Sequence, residues 1–445
     1  MRRNHPRRAA AAFVISLLLF AAVTAHAQSS GSTRPRRVTR QTQRNDATQP
    51  TRTDGGLLDV QPANASGSSS SRRRNDPQPA PEADNSPLLT PTASTPVAAT
   101  PGTSTAVASD TSRAFALLQQ KQYAAALKEA RQITETNPND PEAWKIAGFA
   151  QMNLNQHEAA AADLQKALDL QRAARQEDPF TADALAHAYF LSDKFDRALP
   201  LLVAATTRPN AKPEPVTVYY RAVAEYRTGK LAEAERTFNA VVKANPKDAA
   251  ALFYLGQIAY DRKDLDAAIA SLNRATLADA RSVSAWNLLT LAYLQRAGVA
   301  AAASPEKANA DYLSAVRAGE GLTRVRNDAA ANILFGQALI GAQQFPRAAT
   351  VLERATAGAD ANPTALYLLG VAQSRAKNFP KAIAALERAA AKTPDDVNIY
   401  RELGYALEIS KQYAKALAAY EKGASLDPAA ADLKESAERV RPFAN

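Results

Sequence analysis

The feature that most limits what this 445-residue chain can fold into is a 34-residue self-similarity. Gly336, Gly370 and Gly404 stand at that spacing, each preceded by a large apolar residue, Phe335, Leu369 or Leu403. Downstream of each comes an aromatic residue and then an alanine: Phe345 with Ala348, Phe379 with Ala382, Tyr413 with Ala416. A further small residue follows at Ala355, Ala389 and Gly423, and Pro394 and Pro428 close two of the units. A period of this size marks a stack of like supersecondary units rather than a globule around one core. Within a unit the apolar residues recur at helical spacing, so each unit reads as two amphipathic helices joined by a tight turn. Glycine or alanine in the first helix, and the alanine pair in the second, let the backbones approach. Leu, Phe and Tyr fill the remaining holes. Proline ends a unit because it cannot continue a helix. One pair cannot bury its apolar faces alone, so stability has to come from stacked neighbours.

The pattern continues towards the N-terminus. Leu255-Gly256 with Ala268 and Ala275 marks one unit, and Val218 to Pro246 marks another with Gly229, Ala234 and Phe238. Leu185, Tyr189, Phe195, Ala198 and Ala205 mark a third; Trp144, Gly148, Ala160 and Ala167 a fourth; Tyr123, Ala126 and Pro138 belong to the first. Trp286, Leu289 and Tyr293 open a unit whose second helix is displaced. These residues closely resemble the tetratricopeptide repeat family, whose units read W-x2-L-G-x2-Y, then A-x3-F, then A and P. The resemblance spans residues 110–445 and implies an all-α fold. That fold is a right-handed superhelical solenoid of antiparallel helix pairs, about nine repeats with a capping helix from about Ala430 to Arg441. Three departures stand out. Gly298 to Ser304 is an insertion between the helices of one repeat, restarted by Ser304-Pro305-Glu306 as a helix N-terminus. Gln171 to Pro179 lengthens a connection, and Arg221 stands where the pattern wants leucine.

The N-terminus reads as an export signal. Met1 to Arg8 carries Arg2, Arg3, Arg7 and Arg8 and no acid; an uncharged apolar run, Ala9 to Ala25, follows. Ala25-His26-Ala27 is the small-x-small pattern of a signal peptidase site, so cleavage is expected before Gln28. Residues 1–27 are therefore a Sec-type signal peptide, and the expected address is the bacterial periplasm. An uncleaved membrane anchor or secretion are the less favoured alternatives, since the run is short for a span of roughly 20 residues. Residues 28–109 are rich in Ser, Thr, Pro, Gln, Ala and Arg, with Ser66-Gly-Ser-Ser-Ser-Ser71 and Pro77-Gln-Pro-Ala-Pro81 as examples. Such a composition cannot offset its chain entropy by burial and is expected to be a disordered tail. Its basic clusters, Arg34-Pro-Arg-Arg37 and Arg72-Arg-Arg74, suit weak contact with anionic membrane or cell-wall polymer.

Composition removes several kinds of chemistry. The chain has no cysteine, which excludes disulfides, thiolate metal sites, a cysteine nucleophile and a lipidated N-terminus. Of the net charge of +10, the signal carries +4, the tail +3 and the repeat region only +3. A nearly neutral array lacks the basic stripe that a phosphate backbone needs, so no nucleic acid is expected as a partner. His5 and His26 lie in the signal, His157 stands at a turn position where other units hold Phe, Tyr or Leu, and His187 is a lone imidazole on a first helix, expected at the surface. No nucleophile elbow, phosphate loop or dinucleotide fingerprint is present. The expectation is no enzyme, no cofactor and no metal.

What remains is recognition. The family resemblance implies a protein or peptide partner, held on the concave face that first helices line. Chaperone adaptors of the family grip acidic C-termini with Lys, Asn and Arg at set positions. Those positions here hold Lys145, Ile146 and Phe149, then Asp183, Ala184 and His187, so that ligand class is not expected. Aromatics in register point to a groove instead: Tyr219 with Phe253, Tyr220 with Tyr254, and Tyr226 with Tyr260, each pair 34 apart. Tyr219 and Tyr226 share a helix face, as do Tyr220 and Arg227. Stacked, they make a ladder of rings beside an arginine, residue types that dominate binding hot spots; a one-residue shift of register around Arg221 would instead make Tyr219 and Tyr226 ordinary packing residues. The function read from the sequence is an exported scaffold for protein interaction in envelope assembly, division or export. The alternative is a regulatory or structural arm of a carbohydrate-export or glycosyltransferase complex whose catalytic subunit is a separate chain.

Overall fold

The computed structural model describes residues 111–209, 212–358 and 360–444. The signal and the Arg-rich tail read from the sequence lie outside these residues. The described chain divides into two compact units, residues 111–279 and 280–444. All regular structure among the described residues is helical.

Residues 111–279 form five helix pairs: α1 (Ser112–Gln119) with α2 (Tyr123–Thr136), α3 (Pro141–Asn153) with α4 (His157–Ala173), α5 (Pro179–Leu191) with α6 (Phe195–Thr207), α7 (Pro215–Arg227) with α8 (Leu231–Ala244), and α9 (Ala249–Asp261) with α10 (Leu265–Ala278). Residues 280–444 form four: α11 (Val283–Ala300) with α12 (Pro305–Val325), α13 (Ala329–Gly341) with α14 (Phe345–Ala355), α15 (Pro363–Arg375) with α16 (Phe379–Lys392), and α17 (Val397–Ile409) with α18 (Tyr413–Leu426). There α19 (Ala431–Val440) and a 3-10 turn (Arg441–Phe443) pack on the last pair. Within each unit the second helix of a pair also packs on the first helix of the next.

Local chemistry explains the boundaries. Seven of the nine described first helices open on a side chain that accepts from an orphan backbone N–H: Asp140, Asp178, Asp248, Ser282, Asp328, Asn362 and Asp396. Each such cap contributes about 1 kcal/mol. Trp144 and Trp286 add a second tie, their indole N–H groups donating to the carbonyls of Pro138 (2.8 Å) and Ala280 (3.0 Å). Tyr400 does the same with its hydroxyl, to Pro394 O at 3.1 Å. In eight of the nine described pairs the turn holds one residue at positive φ. Gly229 supplies it in one pair, but Lys121, Asn155, Asp193, Lys263, Gln343, Lys377 and Lys411 supply it elsewhere.

Close approach inside a pair rests on one small residue against one large one. A Cβ on Gly148, Gly256 or Gly336 would lie 2.5, 2.6 or 2.6 Å from a carbon of Leu164, Leu272 or Leu352. Gly370 meets Leu386 and Gly404 meets Tyr420 in the same way. Where α5 and α7 carry alanine instead, Ala186 and Ala222 are fully buried, as are Leu202 and Phe238 sixteen residues on.

The departures resolve into extra helix. The insertion at Gly298 to Ser304 does not break the pair; α11 runs on to Ala300, and α12, 21 residues long, starts at Pro305. Ala297, Ala308 and Tyr312 seal the extension, and Arg296 grips Asp311 at 2.9 and 2.6 Å. Part of the lengthened connection after Gln171 is likewise helical, because α4 continues to Ala173.

Candidate partner-binding face

Each first helix of the unit 111–279 places residues at equivalent positions, and the seven residues expected to form a groove fall on α7 and α9 in the expected register. Arg221 does not shift that register: Gly229 and Lys263 take the same positive-φ turn position, 34 residues apart. The arginine is accommodated by a paired replacement. Its Nε donates to Glu225 Oε1 at 2.7 Å, and Thr237 Oγ1 donates to Glu225 Oε2 at 2.7 Å.

The rings themselves are not an open ladder. Tyr219, Tyr220, Tyr226, Phe253 and Tyr254 are all 6 % exposed or less, while Tyr260 and Arg227 are half-buried. The cause is mutual packing. Phe190 lies flat on Tyr220 with centroids 4.0 Å apart, and Tyr254 lies flat on Phe238 at 4.9 Å. Tyr219 and Tyr226 meet Tyr254 edge-on at 6.4 and 5.3 Å. Such contacts stabilise by about 0.5–1.5 kcal/mol each beyond area burial. The column is a stiff floor joining α5, α7, α8 and α9, and its members are packing residues before they are anything else.

Other apolar side chains reach solvent. Phe180 and Val216 are 42 % and 36 % exposed, and each is the second residue of its helix, α5 or α7, directly after the proline that opens it. The sequence reading missed both, although the Pro179-Phe180 and Pro215-Val216 pairs share one repeat position. Nearby charges are committed within the chain. Asp183 accepts from both terminal nitrogens of Arg208, at 3.3 and 2.8 Å. Lys145 is buried, with Glu142 at 2.8 Å and Asp178 at 3.2 Å. Arg227 sets its guanidinium 4.7 Å from the Phe195 ring centroid.

His187 contradicts its expected place at the surface. It is 1 % exposed, with Nε2 2.9 Å from Thr217 Oγ1 and its ring edge-on to Tyr220 at 5.1 Å. Its Nδ1 is buried without a partner, and burial pushes its pKa down to about 4. His157 is half-buried at the start of α4, and burial lowers its pKa too. Neither histidine has company suited to metal binding; among the described residues no group of three or more His, Asp or Glu can hold an ion.

The unit 280–444 exposes a second apolar pair, Tyr405 and Ile409, one turn apart on α17. Arg375 lies 5.6 Å from the Tyr405 centroid and grips Glu402 at 3.0 and 2.8 Å. Glu408 accepts from Arg439 and Tyr420, and the Arg439 bond above all holds its carboxyl below the usual range.

With this geometry in view, the comparison with known families is direct. A family profile described as Tetratricopeptide repeat matches residues 112–179, 219–285, 333–397 and 372–431, more than half of the chain. The chain belongs to the tetratricopeptide repeat family. Solved structures similar to it include MamA from Desulfovibrio magneticus RS-1, at 21 % identity over 41 % of this chain and 97 % of that one, with a TM-score of 0.36. A tetratricopeptide repeat protein from Parabacteroides merdae ATCC 43184 is 12 % identical over 59 % of this chain and 98 % of that one, with a TM-score of 0.38. YrrB, described as a TPR protein with an unusual peptide-binding site, is 17 % identical over 45 % of this chain and 97 % of that one, with a TM-score of 0.37. No curated protein matches the chain. The family membership makes the array a scaffold suited to protein–protein interaction, which is where the exposed apolar pairs acquire meaning.

Proposed function

We propose that the mature chain is an exported, non-catalytic scaffold that holds an extended or helical segment of a partner protein against the first helices of residues 111–279. The observation that carries this reading is the exposure of Phe180 and Val216 at one repeat position on α5 and α7, helices that the buried ring column ties together. Apolar groups at a solvent boundary on a rigid floor lose little entropy on binding, and aromatic anchors of that kind supply most of the energy in small interfaces. Arg227 and Tyr260, the two half-buried members of the expected ladder, lie at the C-terminal ends of α7 and α9. Charges there are already paired, so the segment that fits is apolar rather than acidic. The signal read at residues 1–27 supports an address in the bacterial periplasm. Changing Phe180 and Val216 together to Ser should weaken partner capture by at least about tenfold while the thermal midpoint stays put, since exposed substitutions usually move stability by less than about 0.5 kcal/mol. Unchanged capture by the double variant would place the binding face elsewhere.

A further inference from the structure

The joint between the pairs α5–α6 and α7–α8 carries a feature that the partner-binding reading does not use. The imidazole of His187, on α5, is almost wholly buried and reaches α7 through one hydrogen bond, Nε2 to Thr217 Oγ1 at 2.9 Å. Around it the joint is closed by flat and edge-on rings, Phe190 on Tyr220 and His187 on Tyr220. Nδ1 takes no partner. A neutral ring tolerates that arrangement, because one nitrogen is bonded and the other is a bare acceptor or a single lost donor. A charged ring has two N–H donors and one acceptor available, and leaves a charge in an apolar joint.

No carboxylate is poised to accept a hydrogen bond from the second N–H. On α5 itself Asp183 lies one turn away and is held by Arg208. From α7 the titratable group facing the ring is the Tyr220 phenol, itself pushed up by burial, and Glu225 is held by Arg221 and Thr237. On α3 Lys145 is tied to Glu142 and Asp178, and on α4 Asp163 is tied to Arg131. On α6 Arg197 lies over Tyr189. Burial is the cause that lowers the pKa of His187.

We propose that His187 is an acid-sensitive latch: its protonation opens the joint between α5–α6 and α7–α8 locally, exposing the Phe190 and Tyr220 rings, while the other helix pairs stay folded. Locality follows from the architecture, since each pair contacts only its neighbours and stability is a sum of unit and interface terms. The direction follows from linkage. The pKa in the closed joint, about 4, lies below the ordinary 6.5, so the open state binds more protons between those values and closure weakens as pH falls through that window. If the open joint has an ordinary histidine, its opening constant rises about 30-fold between pH 7.5 and pH 5.

Hydrogen exchange read by mass spectrometry on the full mature chain, corrected for intrinsic rates, tests this at pH 7.5 and pH 5. Protection in α5 and α7 should fall by about 30-fold, while α15 to α18 keep theirs, and H187Q should abolish the fall. A second neutral variant, H187N, serves if the glutamine fails to fold. Constant protection in the wild type, uniform loss across all helices, or the same fall in a folded neutral variant would each overturn the proposal.

Discussion

Replacing Gly336 by Ala tests whether the glycine pattern marks close packing or only helix position. The new Cβ would lie 2.6 Å from Cγ and Cδ2 of Leu352 and 3.0 Å from Cδ1. Leu352 is fully buried, so it has nowhere to withdraw. Glycine-to-alanine in a helix interior gains about 1 kcal/mol of propensity, and overpacking a tight core costs about 1–3 kcal/mol. The net is a loss of about 1 kcal/mol. Leu352→Ala alone should cost about 2–5 kcal/mol through lost burial and the cavity it leaves. In that background the overpacking disappears and the propensity gain survives, so Gly336→Ala should then stabilise by about 1 kcal/mol. The sign reverses between backgrounds. Circular dichroism melts of the full chain read it as a midpoint change of about 2–4 °C in each direction. Exchange protection of α13 provides a local check, because a repeat array need not unfold in two states. If Gly336→Ala shifts the midpoint equally in both backgrounds, or raises it in the wild type, the packing argument is wrong.

The turn positions and the ring column make two further tests. Lys377→Gly and Lys411→Gly should each raise the melting midpoint slightly. A left-handed non-glycine residue costs about 1–2 kcal/mol, and glycine's extra chain entropy returns part of that; a lower midpoint would refute the strain argument. Tyr254→Ala should cost about 3–5 kcal/mol, the usual loss for a large buried aromatic, whereas Tyr260→Ala, half-buried near the end of the same helix, should cost far less. Chemical denaturation of the two variants side by side checks that order.

Helix pairs, their register and the small-on-large contacts were legible because they are periodic. Gly336, Gly370 and Gly404 recur at the spacing of the backbone contact they permit, and Leu352, Leu386 and Tyr420 recur with them. The turns were half legible: Gly229 announces its left-handed conformation, but Lys263 or Gln343 does not, since nothing in those side chains demands it. The Gly298–Ser304 insertion read as a break. Its first three residues instead extend α11, an extension Tyr312 seals, and 301–304 form the turn. Burial of the expected ladder was not legible at all. Whether a tyrosine on a first helix faces solvent depends on the size of what stacks against it, and Phe190 and Phe238, on other helices, cover Tyr220 and Tyr254. His187 was misplaced for the same reason: Thr217, 30 residues away, takes its nitrogen, and Tyr220 closes over it.

The most direct test of the proposed scaffold function is site-specific photo-cross-linking in the native host. A benzophenone amino acid is placed at Val216 or Phe180, on the first helices, and separately at Ala240 or Arg274, exposed or outward-lying positions on the second helices α8 and α10. Adducts are mapped by mass spectrometry to the residue on the partner. A partner held on the first-helix face predicts adducts from Val216 and Phe180 that converge on one apolar segment of one exported protein, with none from Ala240 or Arg274. Adducts from the second-helix positions alone, or scattered without a common segment, would contradict it.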